Sequence, residues 1–115
     1  MKLYVRPQTK QRPRLGKRRK AYTPKATHEY EVAVKQGWLD QEGPTQYTGP
    51  VGMSLIIRGD HIEVEVWELE EGHRPKGIRG DLDNYVKVVC DGLNGVAYLD
   101  DRQVHYIDLR FEKDE

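Results

Sequence analysis

Residues 79–104 read RGDLDNYVKVVCDGLNGVAYLDDRQV and hold five aspartates, Asp81, Asp83, Asp91, Asp100 and Asp101. Leu82, Val86, Val89, Cys90 and Leu93 recur at helical spacing, so a helix is expected from Asp81 or Leu82. Gly95 follows as its C-terminal stop. Asp83, Lys87 and Asp91 are each four residues apart and share one helix face, offset from the expected buried face of Leu82, Val86, Val89 and Leu93. Asp100 and Asp101 then stand just before an expected strand at about Gln103–Glu112, where His105, Ile107, Leu109 and Phe111 alternate with polar neighbours. A helix needs no such crowd of carboxylates to fold. Like charges repel, so solvent, a lysine or a metal ion must offset them.

Outward from this stretch, the remaining elements are short and mixed. KLYVRP is a strand stopped by Pro7. Thr23-Pro24 is a helix start, with Thr23 as cap and Pro24 at the first helical position, and the helix runs to about Trp38. Its expected apolar face is Ala26, Tyr30, Ala33, Val34 and Trp38. VGMSLIIR and HIEVEVWEL are strands joined at Gly59-Asp60, where glycine would supply the positive φ of a type II′ turn. No βαβα alternation appears. The expected fold is α+β, a small antiparallel or mixed sheet with two helices on one face, in a single domain spanning 1–115.

Cys90 stands alone, so no intrachain disulfide forms, in keeping with a reducing cytoplasm. The histidines (His28, His61, His73, His105) have no metal-ligand spacing. No apolar run approaches membrane-helix length, and MKLYVRPQTK lacks the core of a signal peptide. The formal charge is zero, with 19 Lys+Arg and 19 Asp+Glu. Met1–Lys35 nevertheless carries eleven Lys/Arg against two Glu, a net of +9, and the rest of the chain carries −9. A basic front of this kind suits a polyanion partner; its plainer meaning is a dipolar surface that promotes self-association.

The basic arm, at about residues 7–22, has no apolar period. Lys10, Arg12, Arg14, Lys17, Arg18, Arg19 and Lys20 suit contacts to DNA phosphates that carry no sequence information. Tyr22 reads as a packing residue, with stacking on an unpaired base as the alternative.

Convergent carboxylates in an oxygen-only site are what Mg²⁺ or Mn²⁺ prefers. Such ions promote phosphodiester hydrolysis by activating water and stabilising the leaving oxygen. Lys87 is placed to offset charge developing on phosphorus. Each acid also has a structural reading. Asp81 and Asp83 suit a helix N-terminus, Asp83 and Lys87 a surface pair of about 0.2–0.5 kcal/mol, and Asp100-Asp101 a turn.

As one pattern, D-L-D-N-x-x-K-x-x-x-D-x-L-N-G-x-x-x-x-D-D-x-Q-V resembles the RusA family of Holliday junction resolvases, endodeoxyribonucleases of bacteria and their phages and prophages. KQRPR followed by AYTPKATHEYE resembles that family's basic segment and Tyr-Thr-Pro helix start. The resemblance implies a cytoplasmic, homodimeric, Mg²⁺-dependent nuclease that nicks two strands of a four-way DNA junction symmetrically, through metal-activated water. By residue, Asp81, Asp83 and Asp101 match the family's metal-binding acids and Lys87 its catalytic lysine. Asp100 is expected beside them at the metal. Asn84 and Asp91 match further motif positions, Asp91 as a partner for Lys87, and Gln103 is expected to orient the Asp100-Asp101 turn. The rival expectations are a non-catalytic branched-DNA-binding module of the same fold, and a self-associating interaction domain.

Overall fold

The computed structural model describes residues 1–10, 14–15, 21–22, 24–44, 46–70 and 74–112. The chain divides into two compact units, Met1–Leu69 and Glu70–Glu115.

The first unit is built on a hairpin. Strand β4 (Val51–Ile57) pairs antiparallel with β5 (Ile62–Glu68), and β1 (Lys2–Leu3) pairs antiparallel with the other edge of β5, giving the order β1-β5-β4. The period-two pattern of β5 is realised. Ile62 is buried, Val64 and Val66 are half-buried, and Glu65 and Trp67 face solvent. Glu63, on the polar side, is held by Arg58 Nε at 2.6 Å and Lys2 Nζ at 3.6 Å. Gly52 stands opposite Trp67 in the ladder. A Cβ at Gly52 would lie 2.5 Å from the indole, so the ring occupies the space that the glycine leaves open.

The turn falls where the sequence placed it, for a different reason. Ile57 pairs with Ile62, and the Arg58 N–H donates to the His61 carbonyl at 3.0 Å. Gly59 is not among the glycines with positive φ, so this is not the type II′ turn expected.

Helix α1 (Lys25–Glu42) starts one residue later than expected, with Pro24 in the cap position at φ −55° and ψ 145°. The expected Thr23 cap lies outside the described residues. The helix also runs a turn beyond Trp38, and tertiary contacts explain why. The Gln41 side chain exchanges two hydrogen bonds with the Lys2 backbone, at 3.0 and 2.7 Å. Gly43, at φ 83°, then ends the helix with its N–H on the Leu39 carbonyl. On the expected apolar face Tyr30, Ala33, Val34 and Trp38 are half-buried, but Ala26 is exposed and its neighbour Thr27 is buried. A Cβ at Gly37 would come within 3.1 Å of Leu3, which marks where α1 approaches β1.

Within the stretch read as a featureless arm, two-residue strands β2 (Arg14–Leu15) and β3 (Ala21–Tyr22) pair antiparallel, Arg14 opposite Tyr22. Arg12, Lys17, Arg18, Arg19 and Lys20 lie outside the described residues, as do the side chains of Arg14 and Tyr22.

The second unit consists of α2 (Leu82–Leu93) and a single 3₁₀ turn, Asp101–Gln103, packed on it. The expected final strand is absent among the described residues. Residues 104–112 form no ladder. Alternation assigns faces to a chain but supplies no partner. The chain is nevertheless locally braced: Arg110 binds Asp108 at 2.9 Å and Glu112 at 3.0 Å, both two residues away. The fold is α+β, two helices with a three-stranded antiparallel sheet. Among the described residues no helix is long and apolar enough to cross a membrane.

Candidate active site

The expected acids and lysine all fall in the second unit, on α2 and the turn that follows. Three interactions fix how the chain enters α2. Arg74 donates to the Gly80 carbonyl at 2.7 Å, its guanidinium lies 4.0 Å over the Phe111 ring, and the Tyr85 hydroxyl donates to the Arg79 carbonyl. Gly80 takes φ 97°, a left-handed conformation that turns the backbone toward the helix.

Asp81 occupies the N-cap position in an extended conformation, φ −91° and ψ 150°. Its carbonyl accepts the Asn84 and Tyr85 N–H groups, at 3.1 and 3.4 Å. Its side chain makes no capping bond, so the carboxylate is not consumed by the helix. Asp83 lies in the first turn, exposed, where the helix dipole favours a negative charge.

Asp83, Lys87 and Asp91 run along exposed positions of α2. Among the described residues none of the three makes an ion pair, nor does Asp81. The plain surface pairing of Asp83 or Asp91 with Lys87 is therefore not made. Asp83 and Asp91 are eight residues apart, about 12 Å along the axis, so one ion cannot bind both.

After α2, Gly95 adopts φ 78° and donates its N–H to the Tyr98 carbonyl at 2.7 Å. The Tyr98 hydroxyl reaches back to the Cys90 carbonyl at 3.1 Å. Its pKa is pushed up to about 12, first by burial, then by a hydrogen bond with the Cys90 side chain and the charge of its thiolate, with the negative charges of Asp101 and Asp91 adding to the shift.

Asp100 caps the 3₁₀ turn, accepting the Arg102 N–H at 2.8 Å. That backbone bond, followed by the Arg102 side chain at 3.2 Å, holds the Asp100 carboxyl below its ordinary value. Gln103 returns the cap, its amide oxygen accepting the N–H groups of Leu99 at 2.7 Å and Asp100 at 3.1 Å. Asp101 opens the turn and is half-buried.

These are oxygen donors, and several have no cation of their own among the described residues. That set suits a hard divalent cation. Among the described residues no three acidic, histidine or cysteine side chains are gathered closely enough to hold an ion alone. Mg²⁺ commonly takes only one or two carboxylates and completes its shell with water and substrate phosphate. A cavity of about 330 Å³ in the first unit, lined by Trp38, Tyr47, Trp67 and Glu65 among others, contains none of these aspartates.

Sequence reasoning passed over Tyr98, Tyr85 and Arg74, which fix the two ends of the acidic stretch. For Tyr98 a signal existed: it carries the only polar side chain in VAYL, between the helix stop and Asp100. No curated protein and no solved structure matches the chain. The family model described as Endodeoxyribonuclease RusA matches residues 5–115, nearly the whole sequence and all of the acidic stretch, and the chain belongs to that family.

Proposed function

We propose that this chain is a Mg²⁺-dependent resolvase that works as one domain over 1–115, in a homodimer, and cuts four-way DNA junctions by paired symmetric nicks. The observation that carries the reading is the set of unspent charges on α2. Asp81 is at the cap without capping, and among the described residues Asp83 and Lys87 stand one turn apart without pairing. Side chains that make no hydrogen bond or ion pair within their own helix are available to a ligand.

In this reading Asp81, Asp83, Asp101 and Asp100 hold the cation, with Mn²⁺ as a substitute. The bound cation would supply activation of water and stabilisation of charge on the leaving oxygen. Lys87 neutralises charge that builds on the phosphoryl oxygens as water attacks. The arm from Lys10 to Lys20 grips the phosphate backbone without reading bases. Dimerisation is supported by apolar side chains on α2 that stay in solvent, with Val88 66% and Val89 56% exposed. Two-fold symmetry of such a dimer would match that of the junction.

One observation favours a second reading, a branched-DNA-binding module without catalysis: no three metal-binding side chains are gathered among the described residues. A nicking assay on a labelled four-way junction separates the two, run with Mg²⁺ and with EDTA beside a matched linear duplex. Paired, metal-dependent nicks in the junction alone are expected. Binding without nicks at any Mg²⁺ or Mn²⁺ concentration would establish the second reading, and equal cutting of the duplex would remove junction selectivity.

A further inference from the structure

The Asp100-Asp101 turn has two kinds of support. Gln103 and Asp100 brace it internally, through bonds among residues 99–103. Those bonds give the turn its shape but do not tie it to α2. The tie comes from Tyr98, whose hydroxyl donates to the Cys90 carbonyl in the last turn of α2, eight residues back in the chain. The backbone on either side is fastened as well, with the Gly95 N–H on the Tyr98 carbonyl and a bridge between Asn94 and Tyr98. Tyr98 is half-buried in a segment whose neighbours Val96 and Leu99 are 82% and 87% exposed, so it is the anchored side chain of an otherwise open loop.

We propose that Tyr98 is a positioning residue: its hydrogen bond to the Cys90 carbonyl fixes the Asp100-Asp101 turn against α2, and so sets where Asp101 stands relative to the acids of that helix. The inference rests on the reading of these aspartates as cation ligands. A phenol suits the task, because its rigid ring spans the gap with two side-chain torsions and its hydroxyl gives a directed bond. The Cys90 carbonyl also accepts the Asn94 N–H at 3.1 Å. Removing the hydroxyl therefore leaves no unsatisfied acceptor, and the change should act on position more than on folding.

Tyr98→Phe tests this directly, since it keeps the ring and deletes the one bond. In the metal-free protein, hydrogen exchange at the amides of Gly95 and Arg102 should speed up, while thermal unfolding stays close to wild type. Mn²⁺ affinity without DNA, read by the paramagnetic resonance of free Mn²⁺, should weaken by roughly 10- to 100-fold, the usual effect of losing a residue that orients a ligand. In nicking assays kcat should fall by a similar factor with KM for the junction unchanged, and excess metal should restore part of it.

Unchanged exchange at both amides would overturn the anchoring role. Faster exchange with unchanged Mn²⁺ affinity and kcat would overturn its bearing on the site. If wild-type protein neither binds Mn²⁺ nor nicks junctions, the reading of the acids fails, and the exchange measurement still decides whether Tyr98 holds the turn.

Discussion

Asp100 and Gln103 cap one another across a single 3₁₀ turn. The Gln103 amide oxygen accepts the Asp100 N–H at 3.1 Å, and the Gln103 N–H donates to the Asp100 carbonyl at 3.0 Å. The same amide oxygen takes the Leu99 N–H at 2.7 Å, so one side chain organises the approach to both aspartates. Gln103→Ala should cost about 1 kcal/mol of unfolding free energy, the typical value of a missing cap. Urea denaturation measures that cost, and no change would mean that water replaces the amide without penalty.

Asp83 is exposed, unpaired and in the first turn of α2. Asp83→Asn keeps the size and the preference for a helix start while removing the charge. Nicking should be lost, with junction affinity equal to wild type or higher, since a negative charge near phosphate has gone. Gel shifts in EDTA beside a nicking assay measure both. Joint loss of binding and folding would mark Asp83 as a structural residue.

Much of this was legible in the chain, and the misses have physical causes. Helix α2 was readable because its apolar spacing, its start at Asp81 and its stop at Gly95 all agree. Its expected buried face was not realised, since Val89 and Leu93 stay 56% and 39% exposed where no neighbouring element covers them among the described residues. Helix α1 ran past its expected end because Gln41 found the Lys2 backbone, a partner 39 residues away that no local pattern encodes. The last strand failed for the converse reason: 104–112 alternates correctly, but a ladder needs a second chain segment. The aspartates were picked out by their spacing. The bond from Tyr98 to Cys90 was not, because a bond to a backbone carbonyl leaves no mark on the acceptor's identity.

Carboxyl groups set the acid limit of stability. Asp100 is held below its ordinary value chiefly by the Arg102 N–H, Glu63 by its bond from Arg58, and Asp60 by its bond with His61. A depressed folded pKa adds stability that is fully present above the unfolded value and is lost as pH falls through the folded one. Thermal midpoints should thus hold level from neutral pH to about pH 5 and drop below it. Glu63→Gln should lower the neutral-pH midpoint and flatten the acid slope. An unaltered slope would mean that the pair with Arg58 is screened by water, as exposed pairs often are.

The cations of the arm predict a salt signature. Charge reversal at Arg18 and Arg19 should weaken binding to every DNA sequence and make affinity less dependent on salt. The log–log slope should shrink by about one unit for each phosphate that is no longer neutralised. Titrations at several salt concentrations, on two junctions of different sequence, measure this. A loss confined to one sequence would assign these residues to base readout.

Both tryptophans of the chain, Trp38 and Trp67, belong to the unit that ends at Leu69, and the unit bearing the site's aspartates has none. Trp67 lies over Gly52 and is 44% exposed, so its emission will shift when the β4–β5 hairpin opens. Indole fluorescence is therefore a resident dye for one half of the molecule and a silent one for the other. A fluorescence melt would follow the hairpin while the aspartate-bearing half loosened unseen. Tyrosine absorbance, from Tyr85, Tyr98 and Tyr106, is the optical channel that reaches it.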